Sequence, residues 1–283
     1  MSLQNFIPTI WSARILSALE KSHVFGQTNV VNREYEGEIR ERGDSVKINS
    51  VGDITIKDHE RNTDIEGAEE LNDGSQMLVI DQGKYFNFGI DDVDKAQTNA
   101  NVMGEAMKRA GYGLRDKSDQ FVASSHVLVP ASNLIGTDAA PIVPTKETAY
   151  EYLVDLNTKL DEANVPTEER FCVVPPWFEG LLLKDGRFVA AGTSKTDETL
   201  RNGMIGRAAG FDILKSNNTP NTAGTLYKII AGHSIAYSYA EQIVKVEGYR
   251  PEKRFSDAIK GLHCYGGRLV RPYAWAVATF NKA

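Results

Sequence analysis

Residues Met77 to Gln97 read MLVIDQGKYFNFGIDDVDKAQ, two apolar runs followed by an acidic cluster, and they decide what the rest of the chain can be. Met77 to Ile80 is continuously apolar up to Asp81. Phe86, Phe88 and Ile90 share one face of an extended segment, and Gln82-Gly83-Lys84 reads as the turn of a β-hairpin joining the two runs. Asp91 and Asp92 then offer side-chain oxygens to the unpaired amides of a helix start, with Asp94 in its first turn. Beyond them Val93, Ala96, Ala100, Met103, Met107, Ala110, Leu114 and Phe121 form one apolar or small stripe, in steps of three and four that close on a step of seven. The stripe predicts an unusually long helix of roughly thirty residues and about 45 Å. Gly111 and Gly113 mark its weakest point.

Composition bounds the rest. The chain has 283 residues, 41% hydrophobic and 25% charged, which suits one large domain or two smaller ones with a sizeable core. Its N-terminus carries Arg14, Glu20 and Lys21 around a short amphipathic pattern, and no apolar run reaches the roughly 20 residues a bilayer needs, so a soluble, unsecreted protein is expected. Cys172 and Cys264 are too few and too far apart for a disulfide framework and read as buried thiols. A net charge of −6 argues against electrostatic wrapping of nucleic acid. The charge is also bipolar: Asp53 to Asp94 holds twelve acids against Lys57, Arg61 and Lys84, whereas Glu241 to Ala283 holds eight bases against four acids. Such segments meet within one molecule, meet between neighbours, or stay as separate solvated faces.

Pro8, Trp11, Ile15, Leu16 and Leu19 give an amphipathic N-terminal helix ending near Val24-Phe25-Gly26, with Trp11 as its anchor. Val46, Ile48, Ile54 and Ile56 alternate as strands, while Asp58 to Ser75 is acidic and nearly lacks large apolar side chains, so it has no core of its own. Val127 to Pro144, with three prolines and Gly136, reads as a connection between domains. A helix is predicted from about Thr145 to Ala163 on Ala149, Tyr150, Leu153, Leu156 and Leu160. A buried strand follows over Phe171 to Val174, then a short helix from Trp177 to Lys184. Phe211 to Leu214 and Tyr227 to Ala231 read as strands, His233 to Gln242 as a helix, and Ile243 to Phe280 as strand-rich.

Three stretches taken in order, Phe6–Gly26 with Val31–Ile48, Ile80–Gln97, and Ala236–Pro272 (AYSYAEQIVKVEGYRPEKRFSDAIKGLHCYGGRLVRP), make the chain resemble the major capsid proteins of tailed bacteriophages, of the Hong Kong ninety-seven phage type. The resemblance implies an α+β fold. It has an N-terminal arm over 1–32, an extended β-hairpin loop with flanking strands over 33–90, a peripheral domain with a long spine helix over 91–144 and 240–283, and an α/β axial domain over 145–239. It implies a coat protein that self-assembles as hexamers and pentamers into an icosahedral shell around the double-stranded DNA of a phage or prophage. Assembly would take place in the host bacterial cytoplasm, with a separate scaffolding protein and a portal as partners, no sequence-specific DNA binding and no membrane. An acidic balance lets the genome slide in without adhering. Some relatives cross-link a loop lysine to a neighbour's asparagine; Lys57 lies in that region, but no asparagine or glutamate partner is marked, so a non-covalent shell is expected. The same fold builds encapsulin compartments, the nearest alternative.

The alternative from another class is a serine hydrolase. Gly232-His233-Ser234-Ile235-Ala236 resembles a nucleophile elbow, with Asp257 and His263 following in triad order. Against it, the fifth position is alanine, no HGGG-type oxyanion loop is present, and only 49 residues follow the serine. Ser234 is better read as a helix cap. His23, His59, His126, His233 and His263 are scattered without metal-ligand spacing, and Gly203, Gly206 and Gly210 lack the lysine of a phosphate loop. Asp91 and Asp92 precede the helical stripe, which favours capping over an acid pair. No catalytic, cofactor-binding or metal residue is expected, and the protein is expected not to be an enzyme.

Overall fold

The structure is a computed structural model, and it describes residues 24–35, 43–51, 73–91, 102–185, 206–253 and 255–282. Its elements in chain order are β1 (Ser45–Val51), β2 (Asp73–Val79), β3 (Gln82–Asp91), α1 (Val102–Ser124), β4 (Leu134–Ile135), α2 (Ala149–Glu162), β5 (Arg170–Val174), α3 (Pro176–Leu183), β6 (Arg207–Ala208), β7 (Phe211–Lys215), β8 (Asn221–Thr222), β9 (Leu226–His233), β10 (Tyr237–Tyr249), β11 (Ser256–Leu269) and β12 (Trp275–Asn281). The result is an α+β chain with three sheets among the described residues: a β1-β2 ribbon, a three-stranded sheet β10-β11-β3, and a seven-stranded sheet β4-β12-β9-β5-β7-β6 in which β8 also pairs with β9.

The seven-stranded sheet holds the main core. β5 lies between β9 and β7 and is buried at every position, as a strand covered on both sheet faces is. α2 packs on β12 and β9 through Ala149, Leu153, Leu156 and Leu160, a spacing that puts all four on one helical face. Pro175 ends the preceding strand and Pro176 opens α3, where its missing N–H costs nothing. The end of α2 is secured from below by Arg170, only 1% exposed. Its guanidinium donates to the carbonyls of Pro166 (2.7 Å) and Val165 (2.5 Å) and to Asn157 Oδ1 (2.6 Å), and pairs with Asp161 at 2.8 Å.

The three-stranded sheet is antiparallel and two-faced. Phe86, Phe88, Val246 and Ile259 turn towards α1 and pack with Met107 and Leu114, while Tyr265 meets Phe121 edge-on at 5.3 Å. The opposite face is covered at one end by the ribbon. There Val46, Ile48, Leu78 and Ile80 bury against Ala240 and Cys264, and Val79 O lies so close that a Cβ at Gly266 would fall 2.3 Å from it. α1 runs unbroken through Gly111 and Gly113 for 23 described residues, about 35 Å.

Several expectations are corrected. Met77 to Ile90 is not a hairpin: β2 pairs with β1 and β3 with β11, and Gly83 sits in register opposite Cys264 rather than in a turn. Apolar partners distant in sequence, Val46 opposite Leu78 and Ile259 opposite Phe88, outcompete the local pairing. Asp91 closes β3 opposite Ser256; the helix start it is expected to cap, with Asp92 and the stripe residues Val93, Ala96 and Ala100, lies outside the described residues. His233 to Gln242 is not helical. A single 3-10 turn at Ser234–Ala236 leads into β10, where Tyr237 and Tyr239 bury completely against partners on β11. The connection from Val127 to Pro144 contributes β4, parallel to β12, and β12 itself joins the sheet of β5 and β9, so 240–283 divides between two sheets. The amphipathic helix expected before Val24, Ile54, Ile56, Lys57 and most of the acidic stretch lie outside the described residues; its last part, Asp73 to Ser75, begins β2.

Candidate functional site

The arrangement that demands explanation among the described residues is where separate parts of the chain converge. Three covalent crossings join the two larger sheets. One follows α1 through Ser125 to Asn133, one is the Ser234–Ala236 turn, and one runs from Val270 to Ala274. They meet at a single waist. Val270 N and Arg271 N both donate to Ala236 O, at 2.8 and 3.0 Å. The buried Asn133 side chain donates to the carbonyls of Tyr273 (2.7 Å) and Trp275 (3.0 Å). Tyr237 and Trp275 stack at 5.3 Å with planes 8° apart, and the Ser125 hydroxyl reaches the Tyr237 hydroxyl at 3.3 Å. Burial pushes the Tyr237 hydroxyl far above its ordinary pKa, so it stays neutral.

Against this waist lies a strap, residues 24–35, which precedes the ribbon. Phe25, Val30 and Val31 are fully buried in the main core. Asp119, 1% exposed on α1, accepts the amide of Val24 through Oδ2 at 3.1 Å and that of Gly26 through Oδ1 at 3.3 Å. Burial raises its pKa from 3.8 to about 6, opposed by those amides and by Arg115. Farther along, Asn32 N donates to Tyr237 O at 2.8 Å and Tyr239 N to Asn32 O at 2.9 Å, which adds the strap to the start of β10. Arg33 then pairs with Glu241, whose other oxygen accepts from Tyr239 OH at 2.9 Å and lies 3.2 Å from His263 Nε2. Glu241 thus gathers the strap, β10 and β11 on one carboxylate.

The sheet face that the ribbon leaves open carries Tyr85 directly opposite Leu262, 79% and 38% exposed, with Lys260, Asn87 and Tyr249 beside them. Asn87 Nδ2 donates to Tyr249 OH at 3.0 Å, and Lys260 pairs with Glu247 at 3.1 Å. A broad polar and aromatic patch like this suits a protein surface better than a small ligand.

The hydrolase reading fails on geometry. Asp257 and His263 lie on one extended strand six residues apart, about 20 Å at the rise of a strand, so no triad can close. His263 is fully buried beside Glu241, Asp257 faces Arg250 at 3.5 Å, and Ser234 stands in a turn capped by His233, whose Nδ1 accepts from Ile235 N. Burial pushes the Cys172 thiol far up and makes it inert. Among the described residues no group of three or more His, Cys, Asp or Glu is placed to hold a metal ion, and no helix is long and apolar enough to cross a membrane. Lys57 is outside the described residues. The strap and its two carboxylates escaped sequence reading. The only signal was the seven-residue gap in the helical stripe, where Ser118 and Asp119 are both buried.

The phage capsid protein family model matches residues 75–278, most of the chain. Among solved structures, one from Mycobacterium phage Che8 is 32% identical over 91% of both chains, with a TM-score of 0.74. The capsid of Ralstonia phage GP4 (12% identity, 93% of this chain and 90% of the other, TM-score 0.72) and that of cyanophage P-SCSP1u (17%, 93% and 89%, TM-score 0.69) share the fold. No curated protein matches. The chain therefore belongs to the phage capsid protein family. It is a major capsid protein of a tailed phage, a self-associating structural subunit of the icosahedral virion shell and not an enzyme. The compartment-shell alternative gives way to this family.

Proposed function

We propose that the subunit builds its shell in the manner of the Hong Kong ninety-seven phage type: an N-terminal arm and an extended loop reach neighbouring subunits while two rigid sheets form the wall. The observation that carries this is the ribbon. Its strands end on the paired residues Val51 and Asp73, so the two ends of residues 52–72 lie side by side, and that stretch holds seven acids against two bases with only four large apolar side chains, Ile54, Ile56, Ile65 and Leu71. A segment of that composition gains little by folding back on its own body. The open patch around Tyr85, Leu262 and Lys260 supplies the kind of surface a neighbour's loop would cover.

In this reading α1 with the three-stranded sheet is the peripheral domain and the seven-stranded sheet with α2 and α3 is the axial domain. The boundaries run near 91–144 and 240–283 for the first and 145–239 for the second, with β12 returning to the axial sheet. Subunits associate as hexamers and pentamers without covalent cross-links, a separate scaffolding protein and a portal guide closure, and the acidic balance keeps packaged DNA from adhering to the wall. Replacing residues 58–70 by a short glycine-serine linker tests the loop. Circular dichroism and melting should match the wild type, whereas sedimentation and electron microscopy should find no stable shells; normal closed particles would refute the loop's role.

A further inference from the structure

We propose that Asp119 and Glu241 are positioning residues for shell assembly, two buried carboxylates that seat the strap 24–35 and so fix where the segments on either side of it leave the body. This rests on the shell reading above. Besides the backbone pairing of Asn32 with the start of β10, the strap is attached in two ways. Phe25, Val30 and Val31 bury in the core, an attachment that is strong but without direction. The directional bonds lie at the two ends. Asp119 spreads its oxygens over the amides of Val24 and Gly26, so the chain before Val24 must enter at a set place on α1. Glu241 holds Arg33 on one oxygen while Tyr239 and His263 occupy the other, so the carboxylate cannot rotate to follow Arg33 if the strap shifts. The Arg33 guanidinium also lies 5.5 Å from the centre of the Tyr239 ring.

Neither carboxylate is an economical way to hold a fold together. Asp119 sits almost out of solvent on a helix that already packs through Met107, Leu114 and Phe121, and burial works against its charge. A small apolar residue there would leave α1 and both sheets intact but release two amides. The buried acid is explained by what it does to the strap. A shell needs each subunit to present its arm and loop in one orientation, since a contact repeated around a closed symmetric ring tolerates little angular error.

The test compares wild type with Asp119→Ala, Asp119→Asn, Glu241→Ala and Glu241→Gln. Hydrogen exchange at the Val24 and Gly26 amides should quicken by about tenfold in Asp119→Ala, the scale of one buried amide losing its acceptor, while amides of β5 stay unchanged. Shell yield is then measured by sedimentation well below each variant's own melting midpoint, with wild-type shells as the control. Both alanine variants should assemble at least about tenfold more slowly at that temperature, and Asp119→Asn and Glu241→Gln, which keep one acceptor each, should recover part of the loss. Two results would overturn the proposal: wild-type assembly despite fast exchange at Val24 and Gly26, or an assembly loss that disappears on cooling and follows the melting midpoint. Because wild type runs beside the variants, a failure confined to them speaks to the strap and not to the shell reading. Should an alanine variant not fold, the amide variants carry the comparison, since wild-type yield from both would also overturn it.

Discussion

Gly266→Ala separates the ribbon from the rest of the subunit. A methyl at this position would lie 2.3 Å from Val79 O, 2.9 Å from Ile80 Cα and 3.0 Å from Ile80 Cδ1. A carbon and a carbonyl oxygen come no closer than about 3.3 Å, so the junction of β2 and β3 must retreat by about 1 Å. Nothing there gives easily, because two of the three atoms are backbone and Ile80 is pinned at the ribbon's base by the bonds Gly43 N to Ile80 O and Ile80 N to Asp44 O, both 3.0 Å. Overpacking typically costs 1–3 kcal/mol, and backbone obstruction puts this case near about 3 kcal/mol. For a chain of this size that is roughly 6–12 °C in melting temperature. Two companions calibrate the argument. Gly261→Ala meets the ring edge of half-buried Phe86 at 2.4 Å, a side chain that can swing, so it should cost about 1 kcal/mol. Gly113→Ala meets nothing within 4 Å on an exposed part of α1 and should stabilise by about 0.5–1 kcal/mol. Urea denaturation gives the three values, and hydrogen exchange should locate the Gly266 effect at Val46 and Ile48. A Gly266→Ala protein within about 0.5 kcal/mol of wild type would refute the close seating of the ribbon.

Arg170→Met should destabilise by about 3 kcal/mol, because the carbonyls of Val165 and Pro166 lose a buried donor; a denaturation midpoint equivalent to less than about 1 kcal/mol would contradict that account. Asp119 has a folded-state pKa of about 6 against 3.8, so its contribution is fully present below about pH 4 and is lost as pH rises through 6. The stability of Asp119→Asn relative to wild type should therefore rise by about 3 kcal/mol between pH 4 and pH 7; a flat difference would show that the carboxyl is not buried. Ser234→Ala should leave melting and assembly unchanged, and small esters should not be turned over by either protein; serine-dependent turnover would restore the hydrolase reading.

What the sequence disclosed and what it hid divide along the range of the contacts. α2, β5 and α3 were legible because periodicity and proline placement are local: Leu153, Leu156 and Leu160 mark a face without reference to anything else, and Pro175-Pro176 punctuates the strand end. The stripe through Met107 and Leu114 found the long helix for the same reason. Pairing was not legible. Gly83 between two apolar runs has the local chemistry of a turn, and only partners far away in sequence, at Cys264 and around Val46, show that the two runs diverge. Ala240, Glu241 and Gln242 favour helix by propensity, yet β11 draws them into a strand. The expected capsid fold was right, but the strap was invisible, since nothing marks Asp119 or Glu241 as buried until chain segments more than ninety residues apart are brought together.

The waist sets how the subunit yields under load. One polypeptide crossing between two sheets is a swivel, free to turn about its own axis. Three crossings tied side by side through Asn133, Ala236 and the Tyr237–Trp275 stack oppose torsion about the chain direction, as the knuckles of a door hinge do. Load passed from one sheet to the other is then shared among three backbones in parallel instead of falling on one.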